Sequence, residues 1–211
     1  MEQALRELDK ANIELGKSLW KIRSSLTVYS VIGLNASRIE RGKGFFGLVQ
    51  GQQIDLIAIE FSKIFEGEKD FRLNSISSIV RFLEEKEMVP INPEALSSYL
   101  GQEKSETWIR DLQEMLDSQY SSKYKKEINR IRKARNTHIA HSQFGAPKND
   151  LPSVAVFQEL LGLAFRFHDF INSAFVNTHS HPILTDTQVQ TSLVNLLQEI
   201  GLADVTTAWP N

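Results

Sequence analysis

The sequence predicts an all-α protein, an up-and-down helical bundle of about five to seven helices with one long motif-bearing helix. Three observations predict it. Apolar residues recur at three- and four-residue spacings through most of the chain, as on the buried stripe of a helix. No stretch alternates apolar and polar residues in the manner of a half-buried strand. Glycine and proline concentrate between the periodic stretches, where they punctuate rather than interrupt them. A chain of 211 residues, 41% hydrophobic and 24% charged, has the make-up of one packed domain. Residues 1–211 hold no internal repeat, low-complexity tract or linker that would divide it.

The elements follow in order. A first helix is expected over residues 2–32, with Leu5, Leu8, Ile13, Leu15, Leu19, Ile22, Leu26 and Tyr29 as its apolar positions. Gly33, Gly42, Gly44 and Gly47 mark residues 33–47 as a connection, so that residues 1–43 form an N-terminal helix and its link. A second helix over 48–66 is apolar nearly all round between Ile54 and Phe65, the pattern of a central element. Asn74 is placed to cap a short helix over 75–87 that carries Ile76, Ile79, Val80, Phe82 and Leu83. Pro90 and Pro93 break the chain, and Pro93 suits the first turn of a small helix ending at Leu100. The long helix spans 103–141. Gly145, Pro147 and Pro152 make a loop, followed by a strongly apolar helix over 153–177 and a last one over 186–200. Residues 201–211 lack periodicity and are expected to be a loose tail, which Trp209 is able to dock.

Composition excludes several classes. A net charge of −2 gives no global attraction to nucleic acid or anionic lipid, so any such affinity must come from a local patch. No apolar run approaches the roughly 18 residues that span a bilayer, and the first residues are charged and amphipathic, unlike a signal peptide. The chain has no cysteine, which removes disulfides, thiolate zinc sites, iron–sulfur clusters and a cysteine nucleophile. A cytoplasmic protein without membrane attachment is the expectation. The histidine pairs His138/His141 and His179/His181 lie in different elements without carboxylate or cysteine support, so neither a metal nor another cofactor is expected.

The segment Arg135-Asn136-Thr137-His138-Ile139-Ala140-His141 closes the long helix. At 100° per residue, Tyr124, Ile128, Ile131, Arg135 and Ile139 fall within about 80° of one another. Arg135 therefore lies on the apolar stripe, where a charge is costly unless it is paired or faces an anion-binding cleft. A carboxylate such as Glu60 or Asp55 would serve as the partner. His141 lies on the far side, and it meets Arg135 only if the helix bends or ends, or if a second subunit supplies one of the two groups. Upstream, Lys123, Lys125, Lys126, Arg130, Arg132 and Lys133 are opposed only by Glu127. Such a run forms either a solvated helix face or a strip that attracts a phosphate backbone.

The text RNTHIAHS, with a histidine six positions after the arginine of an Arg-Asn pair and Ala-His-Ser at its end, resembles the signature of the HEPN superfamily in its AbiU-type, abortive-infection branch. The upstream text FSKIFEGEKDFRLNSISSIVRFL is similar to the same branch, and the resemblance is closest over residues 44–145. Gln143 departs from it, since the branch often carries an acidic residue there. The resemblance implies one HEPN-like domain acting as a metal-independent RNA endonuclease. It implies a homodimer that serves as a toxin or antiphage-defence effector, with an antitoxin or other protein as regulator. His141 would be general base or acid for attack by the ribose 2′-hydroxyl. Arg135 would hold the scissile phosphate, Asn136 would orient the histidine or donate to a phosphate oxygen, and His138 would support them. Lys123, Lys126, Arg130, Arg132 and Lys133 would contact the RNA backbone. The alternative is a HEPN module without catalysis that binds nucleic acid, a nucleotide or a partner protein.

Overall fold

Helix α1 (Glu2–Asn35) is the axis of the molecule, and it packs against α2 (Lys43–Ile64), α7 (Val154–Ile171) and α8 (Asp186–Glu199). The computed structural model describes residues 1–66, 75–101, 107–136, 151–176 and 186–207. Between α2 and α7 lie α3 (Ile76–Glu85), α4 (Pro93–Leu100), α5 (Trp108–Leu116) and α6 (Lys125–Ala134). Two π-helical segments lie wholly among the described residues: π1 (Asp117–Ser122) after α5, and π2 (Asn172–Val176) after α7. No strand occurs among the described residues, so the all-α bundle stands as predicted. None of these helices is long and apolar enough to cross a membrane.

Leu8, Leu15, Leu19, Ile22 and Leu26 lie on one stripe of α1 and are fully buried. They join a core with Ile57, Phe61 and Ile64 of α2 and Phe157, Leu160 and Phe167 of α7. Each such side chain contributes about 1.5–3 kcal/mol by leaving water. Phe61 stacks on Phe157 at 5.2 Å and on Phe65 at 6.0 Å, which fixes the end of α2 against α7. A Cβ on Gly33 would come within 2.9 Å of Gln50 Nε2. The missing side chain lets Gln50 reach across and donate to the Tyr29 carbonyl at 3.2 Å.

Capping follows the sequence closely. Pro93 opens α4, and the Asn92 side chain accepts from the backbone N–H groups of Glu94 and Ala95. The cap of α3 is Ser75 rather than Asn74, which lies outside the described residues. Ser75 and Ser78 form a reciprocal capping box, each side chain accepting from the other's backbone N–H at 3.2 and 3.1 Å.

Two expectations require correction. The helix expected over 103–141 is divided, in its described part, into α5, π1 and α6. Its buried positions explain the break. Leu112, Leu116, Tyr120, Tyr124 and Ile128 are all buried and follow one another at intervals of four. An α-helix would carry this series about 40° round its axis at each step, turning the last of them toward solvent. The wider π turn absorbs the excess rotation, and the polar run Asp117-Ser118-Gln119 gives it little resistance. The division raises the count to eight α-helices among the described residues.

The tail is the second correction. Leu202 is buried with Val31, Ile32, Ile39, Phe46 and Leu197 in a smaller core at the far end of α1. Asn35, fully buried, donates to the carbonyls of Val31 and Thr206 at 2.8 Å each and accepts from the Thr206 N–H at 3.0 Å. Trp209 lies outside the described residues. Asn35→Ala should cost about 1–3 kcal/mol in urea unfolding and should speed amide exchange at Thr206 while leaving α2 protected.

One buried carboxylate gives a pH dependence. Burial pushes the Glu60 carboxyl up. Hydrogen bonds from Lys63 and Ser18, both at 2.8 Å, and the charges of Lys63 and Lys21 outweigh that and hold it below its ordinary value. A folded-state value below the unfolded one adds stability above the unfolded pKa of about 4.3 and loses it as pH falls through the folded value. Urea unfolding of Glu60→Gln should therefore show a shallower loss of stability than wild type between about pH 5 and pH 3.

Candidate nucleic-acid interface

Helix α6 buries Ile128, Ile131 and Ala134 and packs against α2. Two arginines on this side reach the end of α2. The Arg132 guanidinium donates to the carbonyl of Phe65, the residue that caps α2. A helix C-terminus carries unpaired carbonyls and partial negative charge, so a cation there is favourable. One turn later Arg135 Nη1 donates to both carboxylate oxygens of Glu66, at 2.8 and 2.9 Å. Glu66 thus takes the part expected of Glu60 or Asp55; Glu60 is engaged instead by Ser18, Lys21 and Lys63. The side chains of Arg135 and Glu66 are 25% and 15% exposed, so the pair is sheltered yet reachable.

Arg135 and Asn136 begin a π-type turn directly after α6. Arg135 Nε donates to Asn136 Oδ1 at 3.0 Å, which leaves the Asn136 amide as a donor at an exposed position. Among the described residues no acceptor takes Arg135 Nη2, and this nitrogen can meet an anionic oxygen from outside. His138 and His141 lie outside the described residues.

The other basic residues fan out rather than forming one strip. Lys123 sits 3.5 Å from Glu159 on α7 and 4.7 Å from the Tyr124 ring centre. Tyr124 donates to the same carboxylate, and that bond, with the Lys123 charge, holds Glu159 below its ordinary range. Arg130 donates to the Leu151 carbonyl at 2.9 Å. Lys126 and Lys133 are exposed. Of the five cations expected on RNA, Lys123, Arg130, Arg132 and Lys133 thus hold partners within the chain.

Two features were not foreseen from the sequence: the Glu66 carboxylate, and a cleft of about 910 Å³ between α3, the end of α5, π1 and α6 that Phe65 also lines. The fourfold spacing of apolar residues through π1 was the available signal for the cleft.

Glu66→Ala should leave the Arg135 guanidinium short of an acceptor and lower stability by about 1–2 kcal/mol in urea unfolding, a modest loss because both side chains retain some contact with water. Arg135→Lys should lose a similar amount, since an ammonium keeps the charge without the planar fork. Compared with protein-family models, with curated proteins and with solved structures, the chain finds no match.

Proposed function

We propose that the chain is a metal-independent endoribonuclease of HEPN type, acting as a homodimer and serving as a toxin or antiphage-defence effector under the control of a partner protein. The observation that carries this reading is the Arg135–Asn136 pair. The two residues that the resemblance assigns to phosphate binding and orientation are bonded side by side at the end of α6, and Glu66 fixes the plane of the guanidinium. The pairing holds Arg135 in one rotamer before substrate arrives, which is the preorganisation that stabilising a developing charge requires.

In the reaction, the ribose 2′-hydroxyl gives its proton to His141 and its oxygen attacks the neighbouring phosphorus. The bond to the 5′-oxygen breaks, and a protonated histidine supplies the proton that this oxygen takes on leaving. The products are a 2′,3′-cyclic phosphate and a 5′-hydroxyl. Arg135 balances the extra charge on the phosphoryl oxygens through Nη2, and the Asn136 amide donates to the same group or to the histidine. Exposed Lys126 and Lys133 add salt-dependent attraction to the flanking backbone.

One observation favours a second reading. The Glu66 carboxylate already occupies Nη1 of Arg135, as it would in a HEPN module that binds RNA or a partner without cutting it. Cleavage of labelled single-stranded RNA separates the two. Arg135→Ala and His141→Ala should each slow cleavage by about 10²- to 10⁴-fold, with dimer and melting behaviour retained and with EDTA without effect. Equal degradation by wild type and both variants would remove the nuclease reading. No cleavage by any of them, with RNA retention that needs Arg135, would establish the binding module instead.

A further inference from the structure

We propose that the end of the bundle where α1 turns into α2 docks on the surface of an anionic lipid bilayer, which Phe45 and Leu48 enter while Arg41 and Lys43 meet its headgroups. Phe45 and Leu48 lie three residues apart on one face of the first turns of α2 and are 60% and 62% exposed. Leu34, in the last turn of α1, is exposed as well. Phe46 and Val49 of the same turns already supply the smaller core with its apolar surface, so the outward pair is surplus to packing. Phe45 rests edge-on against the Phe46 ring, centres 5.5 Å apart, which holds it pointing outward. A Cβ on Gly44 or Gly47 would meet nothing within 4 Å. No close approach requires glycine at these two helical positions, where it lowers stability; the bare backbone leaves both apolar side chains standing clear.

The turn that leads into this pair is basic. From residue 33 to residue 52 the chain carries Arg38, Arg41 and Lys43 against Glu40 alone. All three cations are exposed, and among the described residues Arg41 and Lys43 make no hydrogen bond or ion pair. Glu199 and Asp204 belong to α8 and its tail, whose Leu197 and Leu202 pack on the Phe46 side of α2. An anionic leaflet answers both kinds of side chain: its surface potential draws the cations, and apolar groups sink just below its headgroups. A nucleic-acid backbone would answer the cations and leave Phe45 and Leu48 in water. A stable protein partner takes about 20–30 residues a side around a closely packed centre, more than three apolar side chains supply, whereas a fluid leaflet needs no matching shape. The docking is peripheral, in keeping with helices that cannot cross a bilayer. It departs from the expectation of no membrane attachment because local charge, and not the net charge of the chain, decides attraction to such a surface.

This surface stands apart from the nuclease reading, because it is tested by attachment and not by cleavage. Full-length protein is sedimented with vesicles of phosphatidylcholine alone, or of phosphatidylcholine with about 30% phosphatidylserine. The mixed vesicles should carry wild type down, less so as salt rises, and phosphatidylcholine alone should bind about tenfold less. Phe45→Ser combined with Leu48→Ser should bind the mixed vesicles about tenfold more weakly, and so should Arg41→Glu combined with Lys43→Glu, each with unchanged melting by circular dichroism. In Phe45→Trp, lipid brominated on its acyl chains should quench the new indole beyond the quenching seen in wild type. Adsorption through basic residues elsewhere would leave that indole unquenched. If the apolar double variant unfolds, the charge variant and the quenching decide. The proposal is overturned if wild type stays in solution with both kinds of vesicle, if the folded variants bind as wild type does, or if Phe45→Trp shows no added quenching. It is overturned in favour of a second copy of the chain if vesicles bind nothing and light scattering shows an oligomer that the apolar double variant dissociates.

Discussion

Two guanidinium groups gripping the end of α2 are the contact on which the placement of α6 depends. Helix α6 has ten residues, three of them buried, and a helix that short has little stability of its own in water. Arg132 on the Phe65 carbonyl and Arg135 on the Glu66 carboxylate join its polar surface to α2 at two successive turns. Moving charges out of water costs much of what their pairing returns, so the clamp adds less to overall stability than to alignment. It sets the axial position of α6, and with it the placement of Lys125 and Asn136.

The same clamp connects the cleft to the motif. Arg132 forms part of the cleft wall and Arg135 part of the motif, three residues apart on one helix, while Phe65 and Glu66 are neighbours opposite them. A change in how α2 ends is therefore felt in both places. The main core, built on α1, α2 and α7, holds α2 rigid from the other side through the stacked rings of Phe61, Phe65 and Phe157.

Much of the helical layout was legible in the sequence because it is set by local rules. Apolar periodicity marks α1, α2 and α7, and Asn92 with Pro93 marks the start of α4. The place of Arg135 on the apolar stripe was legible for the same reason, since it needs only the rotation per residue, and a carboxylate partner was one of the two ways of accommodating it there. Which carboxylate it meets was not. Glu60 and Glu66 are six residues apart on α2 and its end, and choosing between them requires the axial offset of two packed helices, which depends on every side chain between them. The docked tail escaped notice because its anchor, Asn35 against Thr206, is a polar match across the molecule with no periodic signature. The cleft is likewise assembled from several elements, and only the fourfold spacing through Tyr120 hinted at the unwound turn beside it.

That unwound turn makes residue number, as much as residue identity, a determinant of what α6 presents. Each position in an α-helix turns its successors by about 100°, so a single deletion within residues 117–122 would swing the downstream helix by more than a quarter of a circle. Insertions and deletions in this short stretch would re-aim the basic side chains wholesale, while substitutions that preserve its length would leave their bearings untouched.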